Sequence, residues 1–82
     1  MQHERISQDP KIMVGKPVIR GTRIKVELIL RLLGNGMTID ELLYSYPGLT
    51  KEDILAAQRY AADYIDEDYF FNEVSLSSRD FE

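Results

Sequence analysis

The chain has 82 residues, of which 44% are hydrophobic and 29% are charged, and this composition is typical of one small globular domain. It contains no cysteine and one histidine, which excludes disulfides and thiolate metal sites and leaves little basis for a histidine metal site. No apolar run approaches the roughly 20 residues that span a bilayer, and the N-terminus has no apolar signal core, so we expect a cytoplasmic protein.

The net charge of −4 is unevenly divided along the chain. Residues 1–39 contain seven basic and three acidic residues, whereas residues 40–82 contain three basic and eleven acidic ones. Such asymmetry favours a basic surface for one partner and an acidic surface for another, although an ordinary solvated surface produces the same pattern.

Residues 1–25 are predicted to form short strands and turns. Asp9-Pro10 favours a turn, and the apolar runs 12–14 and 17–19 predict two short strands around a tight turn. Gly21 ends the second strand. A pair of strands this short is marginal alone, so it needs the helices or a second copy of the chain to pack against.

Three helices are predicted after the strands. Residues 25–34 have helical apolar spacing on one side and further leucines on the other, and two glycines follow. Thr38 and Glu41 form a capping box that begins a second helix over about 39–46. Thr50 caps a third helix that reaches about residue 66. Its predicted core stripe consists of Ile54, Ala57, Ala61 and Ile65.

The short connection at Pro47-Gly48 between the second and third helices is typical of a helix-turn-helix. The predicted fold class is mainly α, a three-helix homeodomain-like helix-turn-helix with a short N-terminal β-hairpin. Lys51 and Arg59 are candidate DNA contacts on the third helix. Glu52 and Asp53 oppose DNA binding there because carboxylates repel phosphate.

A second candidate for DNA contact is a basic ribbon before the first helix, formed by Lys16, Arg20, Arg23 and Lys25. Glycine at position 21 lets the backbone approach a phosphate closely. Ordinary edge-strand charge that prevents aggregation is an equally open interpretation. If the ribbon binds DNA, we expect replacement of Arg20 and Arg23 by alanine to abolish binding with little change in melting temperature.

Residues 67–82 form an acidic, aromatic tail after a hairpin and helix-turn-helix domain at residues 1–66. A segment that folds on a partner needs strong anchors, and aromatic residues and arginine are the usual ones. Packing of residues 69–71 on the protein's own core is the alternative. The candidate anchors are Tyr69, Phe70, Phe71, Arg79 and Phe81.

The string Gly-Lys-Pro-Val-Ile-Arg-Gly-Thr-Arg-Ile at residues 15–24 resembles the hallmark of domain-of-unknown-function family 433. The resemblance extends over about residues 5–65 and includes Tyr46-Pro47-Gly48-Leu49-Thr50 and Asp53-Ile54. It implies a small homeodomain-like fold with a structural role for residues 21–23. It also implies a role like that of VapB-type antitoxins, which are paired with a small PIN-like nuclease toxin.

We therefore expect a VapB-like antitoxin that inhibits a PIN-like nuclease toxin through its tail and binds operator DNA to regulate its own transcription. Arg79 could pair with a metal-holding carboxylate of such a nuclease. A homodimer is expected because the first helix is apolar on two sides. No catalytic residue, metal or cofactor is expected. The alternatives are a protein–protein adaptor that does not bind DNA and a stand-alone helix-turn-helix repressor.

Overall fold

Two short antiparallel strands and three helices make up residues 3–66, the part of the chain that this computed structural model describes. Strand β1 (Ile6–Ser7) pairs with strand β2 (Val18–Ile19), with Ile6 opposite Ile19. Helices α1 (Val26–Gly34), α2 (Ile39–Ser45) and α3 (Lys51–Ile65) follow. The predicted fold class, mainly α with three helices after an N-terminal hairpin, is confirmed. Within residues 3–66, no helix is long and apolar enough to cross a bilayer.

The first strand lies elsewhere than the sequence predicts. Residues 12–14 are not a strand but enter a left-handed turn over Met13–Gly15, in which φ is positive at all three residues. The turn follows Asp9, whose carboxylate accepts a hydrogen bond from the Lys11 N–H at 2.9 Å. Val14 is 91% exposed at this turn, and a β-branched residue held there costs about 1–3 kcal/mol.

The hydrophobic core joins both strands to all three helices. Its central side chains are fully buried and come from β2, α1, α2 and α3, so each element contributes to one interior. Partly buried leucines of α1 cover this interior. The buried apolar residues are Ile6, Val18, Ile19, Val26, Ile29, Leu42, Leu49, Ile54, Ala56 and Ala57.

Helix α1 ends as its glycines predict. Gly36 has a φ of +103°, the left-handed conformation that favours glycine. The Gly36 N–H donates to the Leu33 carbonyl at 3.0 Å, and the Met37 N–H donates to the Leu32 carbonyl at 3.0 Å. This pair of bonds is the Schellman motif, which satisfies two carbonyls that the helix leaves without partners.

The connection between α2 and α3 is a tight turn that contributes to the core. The Leu49 N–H donates to the Tyr46 carbonyl at 2.8 Å, and the Leu49 side chain is buried. Capping boxes begin both helices, with Thr38 and Glu41 at α2 and with Thr50 and Asp53 at α3. The capping at both predicted positions is confirmed.

The predicted core stripe of α3 is buried at its N-terminal end only. Ile54 and Ala57 are fully buried and Ala61 is partly buried, whereas Ile65 is 45% exposed and does not reach the core. Tyr60 and Tyr64 share a face of α3, and their rings stack with centroids 6.5 Å apart. The C-terminal end of α3 therefore leaves apolar surface exposed.

An ion pair between half-exposed Arg5 and buried Asp53 fixes the N-terminal segment against α3. Asp53 is only 6% exposed, and one of its carboxylate oxygens accepts a hydrogen bond from the Thr50 N–H at 3.1 Å. The other oxygen accepts from the Arg5 guanidinium at 3.1 Å. One carboxylate thus caps α3 and holds the residue that precedes β1.

We expect Asp53→Ala to lower the free energy of unfolding by about 1–3 kcal/mol, because it removes a cap and leaves the Arg5 charge without its partner. Glu41→Ala removes the matching residue of the exposed capping box at α2 and should cost about 0.5 kcal/mol or less. Urea unfolding followed by circular dichroism measures both. Equal losses for the two variants would contradict the structural role of the Arg5 contact.

Candidate nucleic-acid interface

A tight turn over residues 20–24 presents the centre of the predicted basic ribbon. Gly21 has a φ of +82°, which favours glycine at this position. The Thr22 hydroxyl donates to the Ile19 carbonyl at 2.7 Å and accepts from the Ile24 N–H at 3.0 Å. The Ile19 N–H donates to the Ile24 carbonyl at 2.9 Å and closes the turn. The Thr22 side chain and the backbone groups of Ile19 and Ile24 thus hold this turn.

Arg20 binds the N-terminal segment through its guanidinium. Its Nε donates to the Glu4 carbonyl at 2.6 Å, and its Nη2 donates to the Ile6 carbonyl at 3.1 Å. The Arg20 backbone N–H also donates to the Arg5 carbonyl at 2.7 Å. The side chain therefore extends the short β1–β2 pairing. Because these contacts stabilise the fold, loss of the Arg20 side chain should lower the melting temperature, contrary to the expectation from the sequence.

Lys16 and Lys25 are brought together by a carboxylate at the start of α1. Each lysine Nζ lies 3.4 Å from the same oxygen of Glu27. The hydrogen bond and charge of Lys16, followed by those of Lys25, lower the pKa of the Glu27 carboxyl below its usual value. At neutral pH one negative charge therefore offsets two positive ones, and the cluster keeps a net positive charge of one.

Arg23 is exposed in the turn, and no ion pair or side-chain hydrogen bond joins it to residues 3–66. It differs in this respect from the other three members of the basic ribbon. Its guanidinium is free to meet a phosphate or a base edge without giving up a contact within the described domain.

The exposed face of α3 carries the second group of predicted DNA contacts. Lys51 and Arg59 are both exposed, and Leu55 and Gln58 lie on the same helical face between them. Glu52 is exposed as well, but Asp53 is buried and paired with Arg5. The inference that Asp53 repels DNA is therefore wrong, because its carboxylate is withdrawn from the surface.

A polar cleft of about 300 Å³ lies between the basic turn and the first turn of α3. It is lined by Glu4, Arg5, Arg20 and Asp53. Because Asp53 belongs to the first turn of α3 and Arg20 begins the basic turn, the cleft places these two elements side by side on one surface. Arg20 is the predicted DNA contact that lines this cleft, whereas Lys51 and Arg59 lie on a different side of α3 from Asp53.

Arg5 and Asp53 line the cleft as an ion pair that the sequence did not single out. The Thr-x-x-Asp spacing at residues 50–53 is a near variant of a capping box and is a usable signal for Asp53. Arg5 lies 48 residues away, and no local pattern links it to α3.

The N-terminal segment also contacts the middle of α3. The Tyr60 hydroxyl donates to the Gln8 side-chain carbonyl at 2.9 Å, and His3 Nε2 lies 3.0 Å from a carboxylate oxygen of Asp63. Burial, and to a smaller extent the neighbouring Tyr64, raises the pKa of Tyr60 above its usual value. These contacts position the segment that carries Glu4 and Arg5.

The predicted toxin-binding residues lie outside the described residues, as does the acidic aromatic tail at 67–82 as a whole. They are Tyr69, Phe70, Phe71, Arg79 and Phe81.

Arg20 and Arg23 allow a direct test of which ribbon residue is structural. We expect Arg20→Ala to lower the free energy of unfolding by about 1–2 kcal/mol, because two hydrogen bonds from a charged group are lost. Arg23→Ala should change it by about 0.5 kcal/mol or less, since that side chain is exposed. Urea unfolding of the two variants gives both values, and an equal effect of the two would refute the distinction.

Comparison with known proteins identifies relatives of this chain in sequence and in structure. A crystal structure of a DUF433 member from Anabaena variabilis superposes with a TM-score of 0.69 at 39% identity, covering 72% of this chain and 58% of that one. An uncharacterized protein of Sinorhizobium fredii, y4eO, is 34% identical over 58 residues, which are 71% of this chain and 26% of that protein. An uncharacterized protein of Archaeoglobus fulgidus is 59% identical over 29 residues, 35% of this chain and 81% of that protein.

This chain therefore spans about a quarter of the length of the Sinorhizobium relative and somewhat over half of the Anabaena chain. The sequence profile described as "Protein of unknown function (DUF433)" matches residues 6–61, which include both strands and nearly all of the three helices. The chain belongs to the DUF433 family.

Proposed function

We propose that this protein is a VapB-like antitoxin that binds operator DNA through the surface around the polar cleft and inhibits a PIN-like nuclease through residues 67–82. It acts in the cytoplasm as a homodimer and has no catalytic activity, metal or cofactor of its own. Two functions are thus assigned to two parts of one chain, and each part supports its function by different chemistry.

The proposal of DNA binding rests on the cleft between the basic turn and the first turn of α3. Helix-turn-helix proteins contact base edges with the N-terminal residues of their second helix, while neighbouring segments contact the backbone. Here Lys51 is the first residue of that helix, and Arg20 lines the cleft that Asp53 of the same helical turn borders on another side. Arg23 is exposed on the adjoining turn. This surface has the basic residues needed for phosphate contact.

Internal neutralisation of the acids strengthens this assignment. Asp53 is buried against Arg5, and Glu27 is paired with Lys16 and Lys25. Of the acidic residues that the sequence places on the first turn of α3, only Glu52 remains exposed. A phosphate that approaches this turn therefore meets less repulsion than the sequence alone indicates.

The composition of the tail supports the nuclease-binding half. Residues 67–82 hold five acidic residues and one arginine together with four aromatic residues. Arginine pairs bidentately with carboxylates, and aromatic side chains anchor protein interfaces. The acidic residues also complement the basic groove that a nuclease uses for RNA. The family resemblance supplies the class of partner, a small PIN-like nuclease.

A homodimer is consistent with the apolar surface of α1 and with operator DNA as the target. Two-fold symmetric helix-turn-helix dimers read two half-sites with duplicated surfaces, which doubles the number of phosphate contacts. Leucines of α1 that the core leaves partly buried, Leu28 among them, provide apolar surface for a second copy.

DNA binding is tested by its salt dependence. We expect the full chain to bind DNA from upstream of its own coding sequence with an affinity that falls steeply between about 50 and 200 mM salt. Arg23→Ala, Lys51→Ala and Arg59→Ala should each reduce the slope of log K against log salt by about 1. Fluorescence anisotropy over a salt series measures the slopes.

Arg31→Ala is the matched control, because Arg31 is an exposed arginine of α1 outside the proposed surface. It should leave the slope unchanged. A slope reduced equally by Arg31→Ala would indicate nonspecific attraction by overall charge. If the full chain does not bind its upstream DNA at all, the DNA-binding half is wrong, and an adaptor that acts only on proteins becomes the better explanation.

Nuclease binding is tested by affinity purification of the tagged full chain from its source cell, with mass spectrometry of the bound proteins. We expect a small PIN-like nuclease to be recovered, and the purified partner's RNA cleavage to be inhibited when the full chain is added. A variant with Phe70→Ser, Phe71→Ser and Arg79→Ala should lose both effects. Tyr44→Ser is the matched control, because Tyr44 is an exposed aromatic residue of α2.

Two outcomes would overturn this half of the proposal. If the triple variant recovers the same nuclease as the unchanged chain, the helical domain makes the contact and the tail assignment is wrong. If neither form recovers a nuclease while DNA binding persists, the protein is a stand-alone repressor.

A further inference from the structure

An apolar groove of about 410 Å³ runs between α1 and the C-terminal half of α3. Val26 and Leu30 form its α1 side, and Ala61, Tyr64 and Ile65 form its α3 side. Tyr64 is 61% exposed, so large apolar side chains at this site remain open within residues 3–66. Exposed apolar surface of this kind commonly marks a binding site for another segment.

The size of the groove favours a few inserted side chains over a second folded domain. A stable dimer interface buries about 800 Å² on each partner, over a broad and fairly flat face. A volume of about 410 Å³ lies instead near the lower end of the range of pockets that enclose a small ligand. Aromatic side chains on an extended segment fit such a space.

The chain itself supplies such a segment at the right place. Ile65 lines the groove, and Tyr69, Phe70 and Phe71 follow it by four to six residues. A fully extended chain spans at most about 3.3–3.6 Å per residue, so these aromatic residues can reach at most roughly 13–22 Å from Ile65. That reach is long enough for them to enter the groove.

Charge at the rim of the groove complements this segment. Glu27 lines the groove and pairs with both Lys16 and Lys25, so the three charges sum to +1. Residues 67–82 carry five acidic residues and one arginine, and Glu67-Asp68 immediately precede the aromatic residues. An acidic segment that enters the groove would therefore approach lysines whose charge Glu27 offsets only in part.

We propose that, in the protein free of partners, Tyr69, Phe70 and Phe71 of the same chain dock in the groove between α1 and α3, with Glu67 and Asp68 beside Lys16 and Lys25. The aromatic residues bury the exposed surface of Tyr64 and Ile65. A partner that binds the tail must first displace it from this groove. The docking concerns the isolated protein and holds whether or not the partner is a nuclease.

A spin label tests this docking in the full chain. The chain has no cysteine, so Ser75→Cys gives one site for a nitroxide, four residues after Phe71. In methyl NMR spectra of the isolated protein, we expect the Leu30 and Ile65 signals to be lost through paramagnetic broadening. The Leu55 signal, on a different face of α3, should be retained. Reduction of the nitroxide should restore the lost signals.

The same label in a chain with Phe70→Ser and Phe71→Ser is the matched control, and there the Leu30 and Ile65 signals should persist. Retained signals in the labelled chain without these two changes would refute docking. Broadening that is unchanged by the two serines would also refute it, because it would arise without the aromatic anchors.

A mixing experiment separates the same chain from a second copy. Chains that carry the nitroxide but no isotope are mixed with isotope-labelled chains that carry no nitroxide. The proposal predicts no loss of the Leu30 and Ile65 signals in this mixture. Loss of these signals would show that the tail of another copy occupies the groove and would overturn docking within one chain. Neither nuclease nor DNA is present, so the outcome does not depend on the proposed nuclease binding or DNA binding.

Discussion

The position of the N-terminal segment depends on the contact between Arg5 and the buried carboxylate of Asp53. A buried carboxylate is tolerated when it is paired and hydrogen-bonded, and Asp53 meets this requirement with one partner from its own helix and one from the start of the chain. The pairing of β1 with β2 covers only two residues on each strand and is too short to hold the N-terminal segment alone. Side chains of Arg5, Arg20 and Tyr60 provide the remaining attachment.

This attachment explains how a chain with a net charge of −4 can still present a basic surface. In the cleft, Asp53 pairs with Arg5, while the exposed carboxylate of Glu4 forms no ion pair within residues 3–66; at the start of α1, Glu27 pairs with two lysines. Arg23 keeps its charge exposed on a turn that the Thr22 hydroxyl holds through the Ile19 carbonyl and the Ile24 N–H. Fold and electrostatics are therefore linked, because the contacts that hold the N-terminal segment also determine which charges face solvent.

Sequence patterns within a few residues predicted the helices well, whereas contacts between distant parts of the chain were not predicted. The Thr38 capping box and the glycine at residue 36 act within a few residues, and both were found in the sequence. The partner of β2 was misplaced, because residues 12–14 are as apolar as a strand but follow a turn at Asp9 that leads into left-handed backbone. For the candidate site, the basic residues were identified, but the structural contacts of Arg20 depend on carbonyls 14 and 16 residues away.

The way in which the N-terminal segment is fastened has a thermodynamic consequence. A segment held by a few side-chain contacts, with a very short backbone ladder, is the first part of a domain expected to open in hydrogen exchange while the helices stay intact. Because Glu4 and Arg5 line the cleft, such opening would dismantle it. By linkage, any ligand that binds only the assembled cleft lowers the population of the open state, and the effect grows with the ratio of ligand concentration to Kd. Ligand binding at this surface and local order at the start of the chain are thus thermodynamically linked.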